Sequence, residues 1–386
     1  MGFGNLLLRA RPLLGKEKNY VSQIEEMLPY KDSKEVSKYK KQFKIEFSET
    51  KLGTTIAMNP PIPQIIAKDP ALREFAEQTN QKIKDAVMQK TFQDFAKEAY
   101  EMLPTIIAPN IMGMDDIKKA AALQLFATEP VHILLIGDPG TGKTDILRGS
   151  SQLAPISAFG LGSGTSGVGL VATVKGKEIL KGLLPMADCG LCAIDELNLM
   201  KDENRAGLYN AMEKGFVTYS KGGTHARFDA RINVIATANP RGDKFIGDDI
   251  KGLKKQLPFD SALLTRFHLM FIIRKPDIKQ FSEISRKIVR GEKKSVAQAD
   301  IDFVKAYVDY ASKIKVSFDK ELEDEVVAFA EKLKANEKRY VSEISPRIVV
   351  GLMNLAKASA RMELRDKVTQ ADLQRVEKLV ENSLSA

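Results

Sequence analysis

The chain has 386 residues, 44% hydrophobic and 28% charged, and its 59 Lys and Arg outnumber 50 Asp and Glu for a net charge of +9. This is a globular composition with room for two or three domains. It excludes a low-complexity chain and a membrane-spanning bundle, since no apolar run approaches the ~20 residues a span needs. Two cysteines, Cys189 and Cys192, exclude a disulfide framework.

The excess of basic residues favours a polyanionic partner, although on its own it is weak evidence. Leu6-Leu7-Leu8 is too short for a signal-peptide core and is followed at once by Arg9 and Arg11. The expected location is therefore cytoplasmic and nucleoid-associated, or nuclear in a eukaryotic source, with no membrane involved.

In chain order, residues 1 to about 60 are Lys-rich and irregular, with one strand expected at Phe43–Phe47. Pro60-Pro61-Ile62-Pro63 punctuates the chain, and Gln64–Met102 then reads as mostly helical. A lead-in from Ile106 runs into a helix through Lys118 and Leu125. Between 131 and 274 apolar strands alternate with helices and Gly-rich turns, the pattern of a parallel sheet covered on both faces. From Asp277 onward the pattern is helical. Ser345-Pro346 places an N-cap before a proline at the first helical position, and Thr369-Gln370-Ala371-Asp372 reads as a capping box. The expected organisation is an N-terminal region over 1–100, an α/β core over 101–276 and a helical lid over 277–386.

Gly137-Asp138-Pro139-Gly140-Thr141-Gly142-Lys143-Thr144 fits the phosphate-loop pattern and follows an apolar run, His132–Ile136. Glycines let such a loop curl so that successive N–H groups face one phosphate, and the helix opening at Lys143 adds its positive end. Lys143 would neutralise the β/γ oxygens of ATP, and the Thr144 hydroxyl would ligate Mg²⁺. The bland alternative is a Gly-rich surface turn.

Leu191–Glu196 is an apolar strand ending in two acids. Asp195 would hold Mg²⁺, and Glu196 would polarise the attacking water; the alternative is a pair of exposed acids in a turn. A third strand, Ile232–Pro240, ends at Asn239, which could hydrogen-bond the γ-phosphate and orient that water. Arg266 precedes a further strand, Leu269–Ile273. There it can serve a neighbouring subunit's nucleotide, or be a surface arginine with no role. Cys189 and Cys192 form the single C-x-x-C, and His132, His225 and His268 are scattered in sequence. Small packed side chains beside a turn therefore fit better than a zinc site.

Loop, acidic strand, polar strand end and arginine together resemble the AAA+ ATPases. Gly164–Val174, the turn at Lys175–Glu178 and the return to Ala187–Gly190 are similar to the helix-2 insertion of the minichromosome maintenance (MCM) helicases. Asp202–Arg205 through Asn210–Lys214 resembles the MCM segment that follows its acidic motif. Gly215–Ser220 and Thr224–Asp229, joined around Lys221-Gly222-Gly223, resemble its pre-sensor hairpin. Ala108–Gly113 and Ser345-Pro346-Arg347 also match, so the resemblance runs from about residue 100 to 384.

The resemblance implies a P-loop AAA+ three-layer αβα parallel sheet with a helical lid and a small, mostly helical N-terminal region. It makes Arg347 a second sensor and Lys221 a DNA contact, with Lys175 and Lys177 as helpers. ATP and Mg²⁺ are the implied cofactors, and the implied partners are DNA, single-stranded in a central channel, and further copies in a hexamer. The sequence departs from the family at Gly142-Lys143-Thr144, where Ala-Lys-Ser is usual, at Asn198 and Leu199, and at His268 in place of an Asp after Arg-Phe. Neither a zinc ribbon nor a C-terminal winged helix is expected, because the residues before the motor hold no cysteine and the chain stops after the lid. Two other functions fit the same ATP chemistry: a chelatase/MoxR-like protein remodeller, and a regulatory MCM-like subunit without autonomous unwinding.

Overall fold

A computed structural model describes residues 8–10, 44–50, 53–59, 88–175, 178–221, 224–291 and 294–384. Two compact units emerge: one is drawn from residues up to Lys97 with Gln298–Phe303, the other from Glu98–Ala297 with Val304–Ala386.

In the first unit β1 (Leu8–Ala10), β2 (Lys44–Thr50) and β3 (Gly53–Asn59) form an antiparallel sheet in the order β1-β3-β2. The sequence reading found only the strand at Phe43–Phe47 and treated the rest of this region as irregular. The register pairs Thr50 with Gly53, so β2 and β3 form a two-residue hairpin. The helical expectation for Gln64–Met102 is met over 88–96, while 64–87 lies outside the described residues. Phe92 and Phe95 of that helical stretch stand edge-to-face against Phe303, with ring centroids 5.5 and 5.1 Å apart.

The second unit is built on a five-stranded parallel sheet. Its strands are β4 (Ile133–Gly137), β5 (Ser157–Leu161), β8 (Leu191–Asp195), β11 (Asn233–Ala238) and β12 (Leu269–Ile273), in the order β12-β4-β11-β8-β5. Every residue of β4 and β8 is buried, so both faces of these strands are covered, as their unbroken apolar runs require. Burying Ile133, Leu134, Leu135 and Ile136 completely contributes about 1.5–3 kcal/mol each, as an upper estimate. Edge strand β5 alternates instead, with only Ala158 fully buried. Five parallel strands, covering helices and a helical lid make this a P-loop α/β fold.

Beyond the helical stretch over 88–96, the described residues form α1 (Ala99–Ile106), α2 (Asp115–Gln124), α3 (Lys143–Leu153), α4 (Gly167–Val171), α5 (Leu183–Met186), α6 (Ala206–Lys214), α7 (Ile250–Gln256), α8 (Ser261–Leu264), α9 (Ile278–Val289), α10 (Gln298–Ser312), α11 (Glu323–Ala335), α12 (Pro346–Met362) and α13 (Gln370–Leu384). Among the described residues no helix is long and apolar enough to cross a membrane.

Two antiparallel hairpins interrupt this pattern. β6 (Ala172–Lys175) pairs with β7 (Glu178–Lys181), and β9 (Phe216–Lys221) pairs with β10 (Thr224–Asp229). Both lie where the sequence placed them. Their registers pair Lys175 with Glu178 and Lys221 with Thr224, so each closes over two residues.

The lid is fastened to the core through α12. Asn354 Nδ2 donates to the Pro130 carbonyl at 3.0 Å, Lys357 pairs with Glu129 at 3.3 Å, and buried Arg361 donates to the Phe126 carbonyl at 2.8 Å. At the α12–α13 turn, fully buried Asp372 accepts from Ser359 Oγ at 2.6 Å, from both Arg365 Nη atoms at 2.7 Å and from Thr369 N at 2.8 Å. Burial pushes the Asp372 carboxyl up, but these donors outweigh it and hold it below the usual range. The expected Thr369–Asp372 box thus appears through its acidic half. Ser345 stands at the N-cap of α12, yet its side chain makes no cap bond there.

Candidate functional site

The phosphate loop sits between β4 and α3. Gly137 pairs with Ile273 of β12, and a Cβ there would meet the Ile273 carbonyl at 2.4 Å, so no side chain fits. Gly142 has φ +86°, the left-handed region glycine favours, and faces Ile111 of the lead-in segment. The lead-in is itself held by Lys118, whose buried Nζ donates to the carbonyls of Ala108 at 3.1 Å and Ile111 at 2.6 Å. Within the loop, Thr141 Oγ1 donates to the Asp138 carbonyl at 2.8 Å.

Lys143 is buried, and its Nζ donates to the carbonyls of Gly137 at 2.6 Å and Asp138 at 2.7 Å. Burial pushes its ammonium down to about 8, against the opposing pull of Asp138, Asp195 and Glu196.

The acidic strand end is held by hydroxyls from two neighbouring elements. Asp195 Oδ1 accepts from Thr144 Oγ1 at 3.2 Å and from Thr237 Oγ1 at 2.5 Å. Thr237 Oγ1 in turn accepts the Glu196 N–H at 2.9 Å. Glu196 itself has φ +54°, which turns the chain sharply just past β8, and Gly162 N donates to the Asp195 carbonyl at 2.7 Å. At the end of β11, Asn239 N donates to Asn198 Oδ1 at 3.0 Å. The sequence thus places Lys143, Thr144, Asp195, Glu196 and Asn239 at adjoining ends of β4, β8 and β11, and the structure brings them together there.

Three residues that the sequence reading gave no role, or a lesser one, organise this cluster. In the sequence Thr237 is one residue of a buried strand, and Asn198 is a departure from the family pattern. Asp138 was counted simply as part of the loop, yet its carboxylate accepts backbone N–H groups from Phe245 at 2.9 Å and Lys275 at 3.4 Å, joining the loop to the segments after β11 and β12. A polar residue inside an otherwise apolar strand was the available signal for Thr237.

The two arginines lie elsewhere. Arg266 Nη2 pairs with Glu213 of α6 at 2.8 Å, Nη1 donates to the Ala262 carbonyl, and the guanidinium lies 4.8 Å from the Tyr209 ring centroid. Arg347 is the second residue of α12, and its charge acts on His268 and His132. Of the lysines, Lys175 ends β6 and Lys221 ends β9, while Lys177 lies outside the described residues. Cys192 is buried in β8 and Cys189 is exposed in the turn before it. His132 and His268, far apart in sequence, lie with ring centroids 5.2 Å apart and planes tilted by 34°.

Thr144 and Asp195 offer hard oxygen donors side by side, a fit for a divalent cation such as Mg²⁺, and Lys143 beside the loop N–H groups fits a polyphosphate. Fold and site together define a P-loop nucleotide-binding α/β domain with a helical lid.

Comparison with known proteins narrows the class. The MCM P-loop domain matches residues 88–292, and the MCM AAA-lid domain matches residues 302–384. The chain belongs to the MCM family.

It is 31% identical over 328 residues to the minichromosome maintenance protein MCM of Saccharolobus solfataricus, covering 77% of this chain and 48% of that protein. To DNA replication licensing factor MCM4 of Arabidopsis thaliana it is 32% identical over 316 residues, 74% of this chain and 37% of the relative. To DNA replication licensing factor mcm7 of Xenopus tropicalis it is 30% identical over 331 residues, 79% and 45% respectively. The chain therefore spans half or less of the length of these curated relatives.

Proposed function

We propose that this chain is an ATP-driven DNA translocase or helicase motor of the MCM type, acting in DNA replication or related DNA processing as a hexameric ring. The observation that carries the reading is the interlock of Thr144, Asp195, Thr237 and Glu196 beside Lys143, set against Arg266, which is paired with Glu213 of α6.

In this reading the loop of residues 137–144 holds the β- and γ-phosphates of ATP, through Lys143 and the N–H groups of residues 140–144. Bound Mg²⁺ would neutralise phosphate charge at Thr144 and Asp195. Glu196, its backbone fixed by Thr237, accepts a proton from the attacking water, and Asn239 orients that water against the γ-phosphate. Arg266 and Arg347 act on the nucleotide of the adjacent subunit, which supplies the positive charge the hydrolysing chain lacks.

DNA contact is assigned to the β9–β10 hairpin with Lys221, helped by Lys175 and Lys177 of the β6–β7 hairpin. Antiparallel ribbons closing over two residues suit narrow projections, and lysines there grip backbone phosphates with little sequence preference. The division into an N-terminal region to residue 100, a motor to 276 and a lid beyond is part of this proposal. So is a site of action on the nucleoid or, in a eukaryotic source, in the nucleus.

The test is ATP turnover with and without single-stranded DNA, alongside the mass of the assembly. Turnover stimulated by DNA in a ring-sized species is expected. Turnover indifferent to DNA would favour a protein-remodelling ATPase, and DNA stimulation without strand displacement would favour a regulatory subunit.

A further inference from the structure

The buried histidine pair lies outside the hydrolytic cluster; contacts link it to Arg266 and, through Gly351, to the lid helix that carries Arg347. The His268 N–H donates to the His132 carbonyl at 2.9 Å, and His268 Nδ1 accepts the His132 N–H at 2.9 Å, so residues 132 and 268 are tied through main chain and side chain alike. His132 Nδ1 accepts the Val234 N–H at 3.2 Å. This leaves its Nε2 to carry the proton, facing the Met212 carbonyl at 3.4 Å. The residue after Met212 is Glu213, which pairs with Arg266 at 2.8 Å. Contacts therefore close a circuit from Arg266 through Glu213 and Met212 to His132, then through His268 back along the chain to Arg266.

The lid joins this circuit at Gly351. A Cβ on Gly351 would meet His268 Cδ2, Cβ and Cγ at 2.7, 2.8 and 2.9 Å, so the imidazole occupies the room a side chain would need. Arg347 lies four residues earlier on α12, on the same helix face. Burial holds both imidazoles neutral, His132 at about 3 and His268 at about 4, with the Arg347 charge acting in the same direction. A neutral ring at position 268 packs against the lid without cancelling the Arg347 charge, as an aspartate in its place would.

We propose that His268 is a positioning residue that couples Arg266 to Arg347, so that core and lid present the two arginines as one unit to the neighbouring subunit's nucleotide. This rests on the composite-site reading above. It predicts a defect that appears on the neighbour's site, in turnover and not in ATP affinity.

The test uses the full chain. His268→Leu should lower kcat for ATP at least about tenfold, with KM changed less than about threefold, because misplacing a charged group costs the transition state and not the bound ground state. His268→Asn, which keeps an acceptor for the His132 N–H, should stay within about threefold of wild type. Mixing His268→Leu subunits with Lys143→Ala subunits should restore turnover, since each supplies what the other's interface lacks. The control is a mixture of Arg266→Ala with Lys143→Ala.

If the control regains activity and the His268→Leu mixture does not, or if His268→Leu alone turns over normally, the coupling is overturned and the composite site stands. If the control itself fails, the composite-site reading falls and takes the coupling with it. Should His268→Leu fail to assemble, Gly351→Ala displaces the same ring from the lid side. It should show the same loss in kcat at unchanged KM, and wild-type turnover in that variant would overturn the proposal.

Discussion

Thr144, Asp195, Thr237 and Glu196 are hydrogen-bonded in one chain, with Lys143 bonded to the loop carbonyls beside them, whereas Arg266 is held by α6 and α8, and Arg347 opens α12, four residues before the Gly351 that abuts His268. The first group rests on strands buried on both faces, so its geometry is preformed. Arg266 is engaged with helices of its own chain, and Arg347 opens the lid helix α12. In the proposed ring this contrast would divide the work, with hydrolytic positioning in one chain and charge neutralisation from its neighbour.

The strongest way to break this comparison is to act on each member of the first group separately. Glu196→Gln should lower ATP turnover by about 10²–10⁴-fold while retaining nucleotide affinity, because it removes the proton acceptor and leaves the phosphate contacts intact. Comparable turnover in the variant would remove Glu196 from the mechanism. Lys143→Ala should show the opposite pattern, with nucleotide affinity weakened by about 10- to 100-fold in a binding titration.

Thr237→Val asks whether the hydroxyl between the two acids orients them. It should lower kcat by about tenfold and stability by about 1 kcal/mol, since the half-buried Glu196 N–H loses its acceptor. Denaturant melts and steady-state kinetics would read both effects.

A smaller effect follows from the depressed Lys143 ammonium. Its folded value of about 8 lies below the ordinary 10.5, so between these values the folded protein binds fewer protons than the unfolded chain, and stability rises with pH across that window. A bound polyphosphate would restore the proton, so ATP binding near pH 8–9 should take up protons. Calorimetry in buffers of different ionisation heat would detect that uptake, and Lys143→Ala should abolish it.

Smallest of all, Lys221→Ala should lower the salt slope of single-strand binding by about one unit per affected site, with basal ATPase preserved. An unchanged slope would make Lys221 an ordinary turn residue.

Much of this site was legible in the sequence because its chemistry is local. The loop from Gly137 to Thr144, the acids after an apolar run and the Gly-Gly hairpin between Lys221 and Thr224 are contiguous patterns whose geometry follows from a strand and a turn. What stayed hidden depends on sheet order. Thr237 reaches Asp195 only because β11 lies beside β8, and His132 meets His268 only because β12 lies beside β4. Nothing in the spacing of 132 and 268 announces that pairing. The antiparallel sheet of β1 to β3 was missed for a different reason: Gly53–Asn59 carries Gly and Thr where an unbroken apolar alternation would have marked a strand.

The composite site is tested most directly by mixing Arg266→Ala subunits with Lys143→Ala subunits, each expected to be nearly inactive alone. In an equimolar random assembly about a quarter of the interfaces pair an intact Lys143 with an intact Arg266 across a heterologous contact, so turnover should return to about a quarter of the wild-type rate. A mixture no more active than its two components would contradict the account.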